Sequence, residues 1–183
     1  MAVGVGVAIG VVAERWFGGW SGAAQDPALS ITVSEEENRL YVYEEGKLTH
    51  TYVVSVGMPE YRTPKGSYHI TQVVWNPWWI PPKDEWAKDE KVTPPGPDNP
   101  MGRVKMYFAP EYFIHGTPHE ESLGAPVSHG CVRMYERDAM ELAWIVVRSG
   151  KPGVSDAEIE EILAHTDRTE SMMLAHPIPV EIR

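Results

Sequence analysis

Apolar and polar side chains alternate with a period of two through much of the chain, the signature of strands that bury one face. The clearest run is ITVSEEENRLYVYEEGKLTHTYVVSVG, Ile31 to Gly57, which folds back around Glu45-Gly46 as a β-hairpin does. Leu40 and Val42 fall on one face of it, Tyr41 and Tyr43 on the other. The consecutive acids Glu35 to Glu37 read as a solvated turn, not as a catalytic cluster. Beyond the turn Thr63-Pro64-Lys65-Gly66, the segment SYHITQVV (Ser67 to Val74) carries β-branched residues and predicts another strand. KMYF (Lys105 to Phe108) and FIH (Phe113 to His115) predict two short ones, and VEIR (Val180 to Arg183) a last one after Pro177 and Pro179.

The period changes near the C-terminus. Ala139, Leu142, Ala143 and Val146 recur at helical spacing between Glu136 and Arg148, and Ser149-Gly150 with Pro152 beyond end the helix. Ser155-Asp156-Ala157-Glu158 is a capping box that opens a second, short helix with the stripe Ile159, Ile162, Leu163. From Trp75 to Pro100 neither period survives. This stretch holds seven of the sixteen prolines and four of the seven tryptophans, so it continues neither a helix nor a central strand. It predicts a long loop with a short helical turn near Lys83 to Lys91. Four Trp need something to pack on, so the loop is expected as a structured flap beside an active site.

A chain of 183 residues with 43% hydrophobic content supports one domain with one core. A formal charge of −10 and the lack of any basic run exclude a nucleic-acid backbone as partner. The apolar run Met1 to Ala13, followed by small residues from Ser21 to Ala24, predicts a signal segment or membrane anchor, although it lacks a basic start and is short of the ~20 residues of a membrane span. The expected division is residues 1–29 as signal or anchor segment and linker, and residues 30–183 as the functional domain.

Chemistry concentrates in FIHGTPHEESLGAPVSHGCVRM, Phe113 to Met134, which carries three His, three Gly, an Arg and the chain's only Cys. With one cysteine no intramolecular disulfide forms, so Cys131 is either a small buried hydrophobe or a used thiol. A thiol with pKa ~8.5 attacks carbonyls only when a base or cation assists it. His115, at a strand end sixteen positions earlier, and His129, two positions away, are the candidate bases. Gly130 leaves room for a substrate, and the Gly130 and Cys131 amides would face a developing oxyanion. Zinc is a rival reading, with His115, His119, His129 and Cys131 as a tetrahedral set, but Gly116, Thr117 and Pro118 break the helix on which an i, i+4 His pair usually works.

Ile114-His115-Gly116-Thr117 followed by Ser128-His129-Gly130-Cys131-Val132-Arg133-Met134 resembles the signature of the L,D-transpeptidase catalytic-domain family of bacterial cell walls. Thr63 to Gly66, Asn76-Pro77, Pro95 to Pro97 and Asn99 to Gly102 also resemble that family, so the likeness runs from about Ser30 to Arg183. The resemblance implies a mainly-β fold, a mixed β-sandwich with one or two short helices after the nucleophile, and Cys131 on a strand-to-helix connection. It implies Cys131 as nucleophile and His115 as base, with the Gly116 carbonyl orienting the imidazole. Ser128, His129 and Gly130 would shape the pocket and oxyanion site, and Arg133 and Thr117 would contact substrate.

The implied substrate is the peptidoglycan tetrapeptide stem, cut at its third residue through a thioester, with a second stem or a lipoprotein as acceptor. No metal or cofactor is implied, and the implied place is the periplasm or the outer face of the envelope. Two other functions compete. An L,D-carboxypeptidase or amide hydrolase would use the same residues with water as acceptor, and a wall-binding module without chemistry predicts a lost motif residue, whereas none is missing.

Overall fold

The computed structural model describes residues 28–183. The expected signal or anchor segment therefore lies outside the described residues, apart from its last two positions. The chain builds eight strands: β1 (Leu29–Ser34), β2 (Arg39–Glu44), β3 (Lys47–Ser55), β4 (Gly66–Trp75), β5 (Val104–Ala109), β6 (Tyr112–Thr117), β7 (Val132–Tyr135) and β8 (Glu170–Ile182). Two helices, α1 (Glu136–Gly150) and α2 (Asp156–Ala164), stand between β7 and β8. The alternating run from Ile31 makes three antiparallel strands, not two, because Glu35 to Asn38 forms a second turn before the one at Glu45-Gly46. Both central residues of the latter have positive φ, 48° and 74°, as a tight hairpin with right-handed twist requires.

The sheet is a closed barrel in the order β1-β2-β3-β7-β6-β5-β4-β8, which corrects the expected sandwich. Closure is the work of β8. It pairs antiparallel with β4 along most of its length, and its end, Val180 to Ile182, pairs parallel with Ile31 to Val33 of β1. Both edges a sandwich would leave open are thereby used. The strand begins ten residues before the predicted VEIR and runs through Pro177 and Pro179. Both prolines precede the segment that pairs with β1, so neither interrupts that ladder.

Within β5, β6 and β7 the alternation separates two faces. Val104, Met106, Phe108, Ile114, Val132 and Met134 point into the core, where all are buried. Helix α1 lays Ala139, Leu142, Ala143, Val146 and Val147 against the same core, packing on β5 to β8. Its neighbour α2 opens with the expected capping box: Ser155 Oγ accepts from the Glu158 amide, and the Glu158 carboxylate accepts from the Ser155 amide.

Candidate active site

The other face of the same three strands is a floor. Lys105 and Tyr107 of β5, Phe113 and His115 of β6, and Arg133 of β7 alternate with the core residues and line a cavity of about 650 Å³. Cys131 lies in it one residue before β7 begins, at a loop-to-strand junction, and β7 separates it from α1. The expected strand-to-helix placement is thus corrected by one short strand. That strand forms because Val132 and Met134 reach the core and pair parallel with Ile114 and Gly116 of β6.

The loop entering β7 is tied down by Ser128, which is fully buried. Its hydroxyl donates to the Cys131 carbonyl at 2.5 Å and accepts from the Gly130 amide at 3.1 Å. Its backbone bonds on both sides to the chain leaving β3, donating to the Val56 carbonyl at 3.0 Å and accepting from the Met58 amide at 2.9 Å. Gly130 has φ +107°, and a Cβ there would stand 2.8 Å from Tyr112 Cε1, so only glycine makes this turn without strain. Its amide is turned to the Ser128 hydroxyl, so Gly130 shapes the loop that carries Cys131.

His115 is buried, and its Nδ1 stands 2.6 Å from the Gly116 carbonyl. A carbonyl only accepts, so Nδ1 carries the proton and Nε2 is left with a lone pair. Burial pushes the imidazole down to about 3; the Gly116 hydrogen bond opposes this, and Arg133 and Lys105 add to it. Burial pushes the Cys131 thiol up to about 11, against the Phe113 backbone and the charges of Arg133 and Lys105. The resting pair is therefore neutral thiol and neutral imidazole. Gly116 itself lies under the carboxylate of Glu136, where a Cβ would come within 2.6 Å of Oε2; burial raises the pKa of that carboxyl.

His129 is a wall of the cavity. Its ring stacks on Trp86 at 3.8 Å and 8° and meets the edge of Tyr61 at 4.9 Å, and burial lowers its pKa. Trp86 arrives on the proline-rich loop, which with Trp79 and Ile80 to Asp84 covers the floor and carries a short 3-10 turn at Glu85–Ala87. Asn99 fixes the base of this loop. It is fully buried, its Nδ2 donates to the carbonyls of Pro77, Thr93 and Pro94 at 2.8, 3.2 and 3.0 Å, and its Oδ1 accepts from the Met101 amide at 2.9 Å.

Of the sequence candidates, Cys131, His115, Ser128, His129 and Arg133 line the one cavity, and Gly116 and Gly130 support them from outside its lining. Thr117 does not join them: it is buried, and its hydroxyl accepts from the His119 amide at 3.2 Å. His119 of the zinc reading is exposed, 3.5 Å from Glu121, and among the described residues no group of His, Cys, Asp and Glu side chains converges as a metal site. Sequence reasoning missed Lys105, Tyr107 and Tyr112. The signal for the first two was present, since in KMYF and FIH the residues out of phase with Met106 and Ile114 share the face of His115.

The fold is similar to that of solved L,D-transpeptidases. The catalytic domain of the E. faecium L,D-transpeptidase superposes with a TM-score of 0.55 at 15% identity, covering 86% of this chain and 98% of that one. The L,D-transpeptidase 3 of Mycobacterium tuberculosis, carrying a faropenem-derived adduct, gives 0.53 at 19%, covering 86% and 60%. Sequence then sets the family: the model of the L,D-transpeptidase catalytic domain, YkuD, matches residues 29–154, and the chain belongs to that family. Among curated relatives, YkuD of Bacillus licheniformis is 32% identical over 117 residues, 63% of this chain and 59% of its own length. The probable L,D-transpeptidase YbiS of Escherichia coli K12 is 34% identical over 119 residues, 59% of this chain and 38% of its own length. The chain thus matches well under two thirds of the length of these relatives.

Proposed function

We propose that the chain is a cysteine-dependent L,D-transpeptidase that acts on peptidoglycan tetrapeptide stems, with residues 30–183 as its catalytic domain. The observation that carries this is the pairing of Cys131 and His115 in one cavity, with the imidazole proton locked on Nδ1 by the Gly116 carbonyl. In this reading Cys131 Sγ attacks the carbonyl carbon of the third stem residue while its proton passes to His115 Nε2. Because neither group is charged at rest, proton transfer accompanies attack instead of preceding it.

The tetrahedral oxyanion takes the Cys131 amide as donor, since the Gly130 amide is bound to Ser128. Collapse breaks the amide C–N bond, the terminal D-alanine leaves with the proton from His115, and a thioester remains on Sγ. An acceptor amine then attacks that thioester, giving its proton to Nε2, and the C–S bond breaks as the thiol is reprotonated. The loop carrying Trp79 and Trp86 roofs the cavity and keeps water from the thioester. Arg133 meets a substrate carboxylate. Such a substrate places the work of the enzyme in the periplasm or at the outer face of the envelope.

The test is incubation of the purified protein with a disaccharide tetrapeptide, read by mass spectrometry beside Cys131→Ala. A Cys131-dependent crosslinked dimer is the expected product. A lysine-bearing lipoprotein peptide added as competing acceptor tells wall attachment from crosslinking by product mass. Release of D-alanine without any joined product would replace the transferase with an L,D-carboxypeptidase, and an unchanged substrate in both samples would overturn the enzymatic reading.

A further inference from the structure

The strand register sets three side chains in a row across the cavity floor. Lys105 of β5 lies opposite His115 of β6, and His115 lies opposite Arg133 of β7. Directly paired residues share a face, and adjacent strands are ~4.8 Å apart, so the two cations flank the imidazole with their backbones roughly 10 Å from each other. All three line the cavity.

Lys105 is held in place. Its Nζ lies 5.1 Å from the ring centroid of Tyr107 and 5.0 Å from that of Phe113, and those rings pack edge to face at 4.6 Å. Among the described residues neither Lys105 nor Arg133 is ion-paired with a carboxylate. The floor is thus locally positive in a chain of net charge −10. The half-buried Lys105 ammonium, oriented by two rings and without a carboxylate partner among the described residues, is free to pair with an anion that enters the cavity. Both cations also push the imidazole further toward its neutral form, and a bound carboxylate on each would relieve that pressure as the imidazolium develops.

We propose that Lys105 is a specificity-determining residue: its ammonium binds a free carboxylate of the peptide substrate on the side of His115 away from Arg133, so the site selects that carboxylate over its carboxamide. The inference rests on the proposed peptidyl-transfer reading and adds to it a second anchor point. The substrate it specifies is an acidic peptide with two carboxylates that reach the two sides of the reacting carbonyl, a match to the spacing of the two cations.

The experiment uses the full chain and a set of tetrapeptides in which each carboxylate in turn is replaced by its carboxamide. In the wild type, one replacement beyond the one read by Arg133 lowers kcat/KM on the order of 10- to 100-fold, the worth of a hydrogen bond to a charged group. In Lys105→Met that one preference collapses to within about 3-fold while the penalties for the other replacements persist, and Lys105→Arg restores it, as a charge-based contact requires.

Uniform loss across all peptides in Lys105→Met, with every preference intact, would overturn the proposal, as would a wild type indifferent to that replacement. Titration calorimetry of the same peptides into Cys131→Ala, with and without Lys105→Met, reads the free-to-amide affinity ratio without any turnover. If the wild type makes no product, that ratio still decides the role of Lys105: its loss on Lys105→Met supports the carboxylate contact, and its persistence, or no binding of any peptide, overturns it.

Discussion

Burial that pushes the Cys131 thiol up to about 11 makes a quantitative statement about its reactivity. At pH 7.5 an ordinary thiol of pKa ~8.5 is about 9% thiolate, whereas one at about 11 is roughly 0.03% thiolate, about 300-fold less. The more basic thiolate is the better nucleophile, and with a Brønsted slope of ~0.4–0.5 it recovers about 13-fold. Toward a small neutral disulfide such as 4,4′-dithiodipyridine, folded Cys131 should therefore react on the order of 15- to 30-fold more slowly than the same residue in the urea-unfolded chain at pH 7.5. Restricted access to the half-buried sulfur lowers the rate further but not its pH dependence. The deciding measurement is the logarithm of the rate against pH from 6 to 10, which should rise with unit slope and no plateau. A plateau below pH 8, or a folded rate above the unfolded one, would mean a preformed thiolate–imidazolium pair and refute the neutral resting state.

Three further outcomes follow from the same geometry. The urea midpoint should be highest between about pH 6.5 and 8.5: below it the unfolded chain gains the proton that buried His115 refuses down to about 3, above it the unfolded chain loses the thiol proton that half-buried Cys131 keeps to about 11. An alkaline limb that persists undiminished in Cys131→Ala would count against the second half of this account. Asn99→Ala should cost about 2–4 kcal/mol in urea unfolding, because it leaves the Pro77 and Pro94 carbonyls and the Met101 amide at the base of the roof without partners, while the Thr93 carbonyl keeps its bond from the Trp79 amide; a loss below ~1 kcal/mol would show that water replaces them. Trp86→Ala removes the stack on His129, worth roughly 0.5–1.5 kcal/mol, and should lower Tm by about 1–6 °C and kcat/KM for the tetrapeptide by about 3- to 10-fold; unchanged turnover would mean the roof is passive.

What the sequence made legible was local. Period-two alternation placed β2 to β6, 3.6-residue spacing placed α1, and Ser155 with Glu158 marked the start of α2, because each of these signals lies within a few residues. The motif around His115 and Cys131 pointed at residues that the fold brings to one cavity. Barrel closure was not legible, since it depends on the end of β8 finding β1 some 150 positions away, and Pro177 and Pro179 hid the strand that does it. The short β7 was lost for a related reason. Four residues carry too little alternation to announce a strand, and only the partner β6 reveals it. Neither the engagement of the Gly130 amide nor the withdrawal of Thr117 from the cavity has any signature in composition, because both depend on where a neighbouring hydroxyl or amide comes to rest.

The cavity's floor and its roof come from different parts of the chain. The floor is built of β5, β6 and the start of β7, whose alternate residues are pinned by the core, while the roof is an irregular segment fastened at its root by one asparagine. Drift in the roof between Trp78 and Val92 leaves the register of His115 with Arg133 untouched, whereas a single insertion in a floor strand turns every one of its side chains to the wrong face. The cations that would read the substrate are thus locked in register with the imidazole beside them, and only the roof is free to vary without disturbing either.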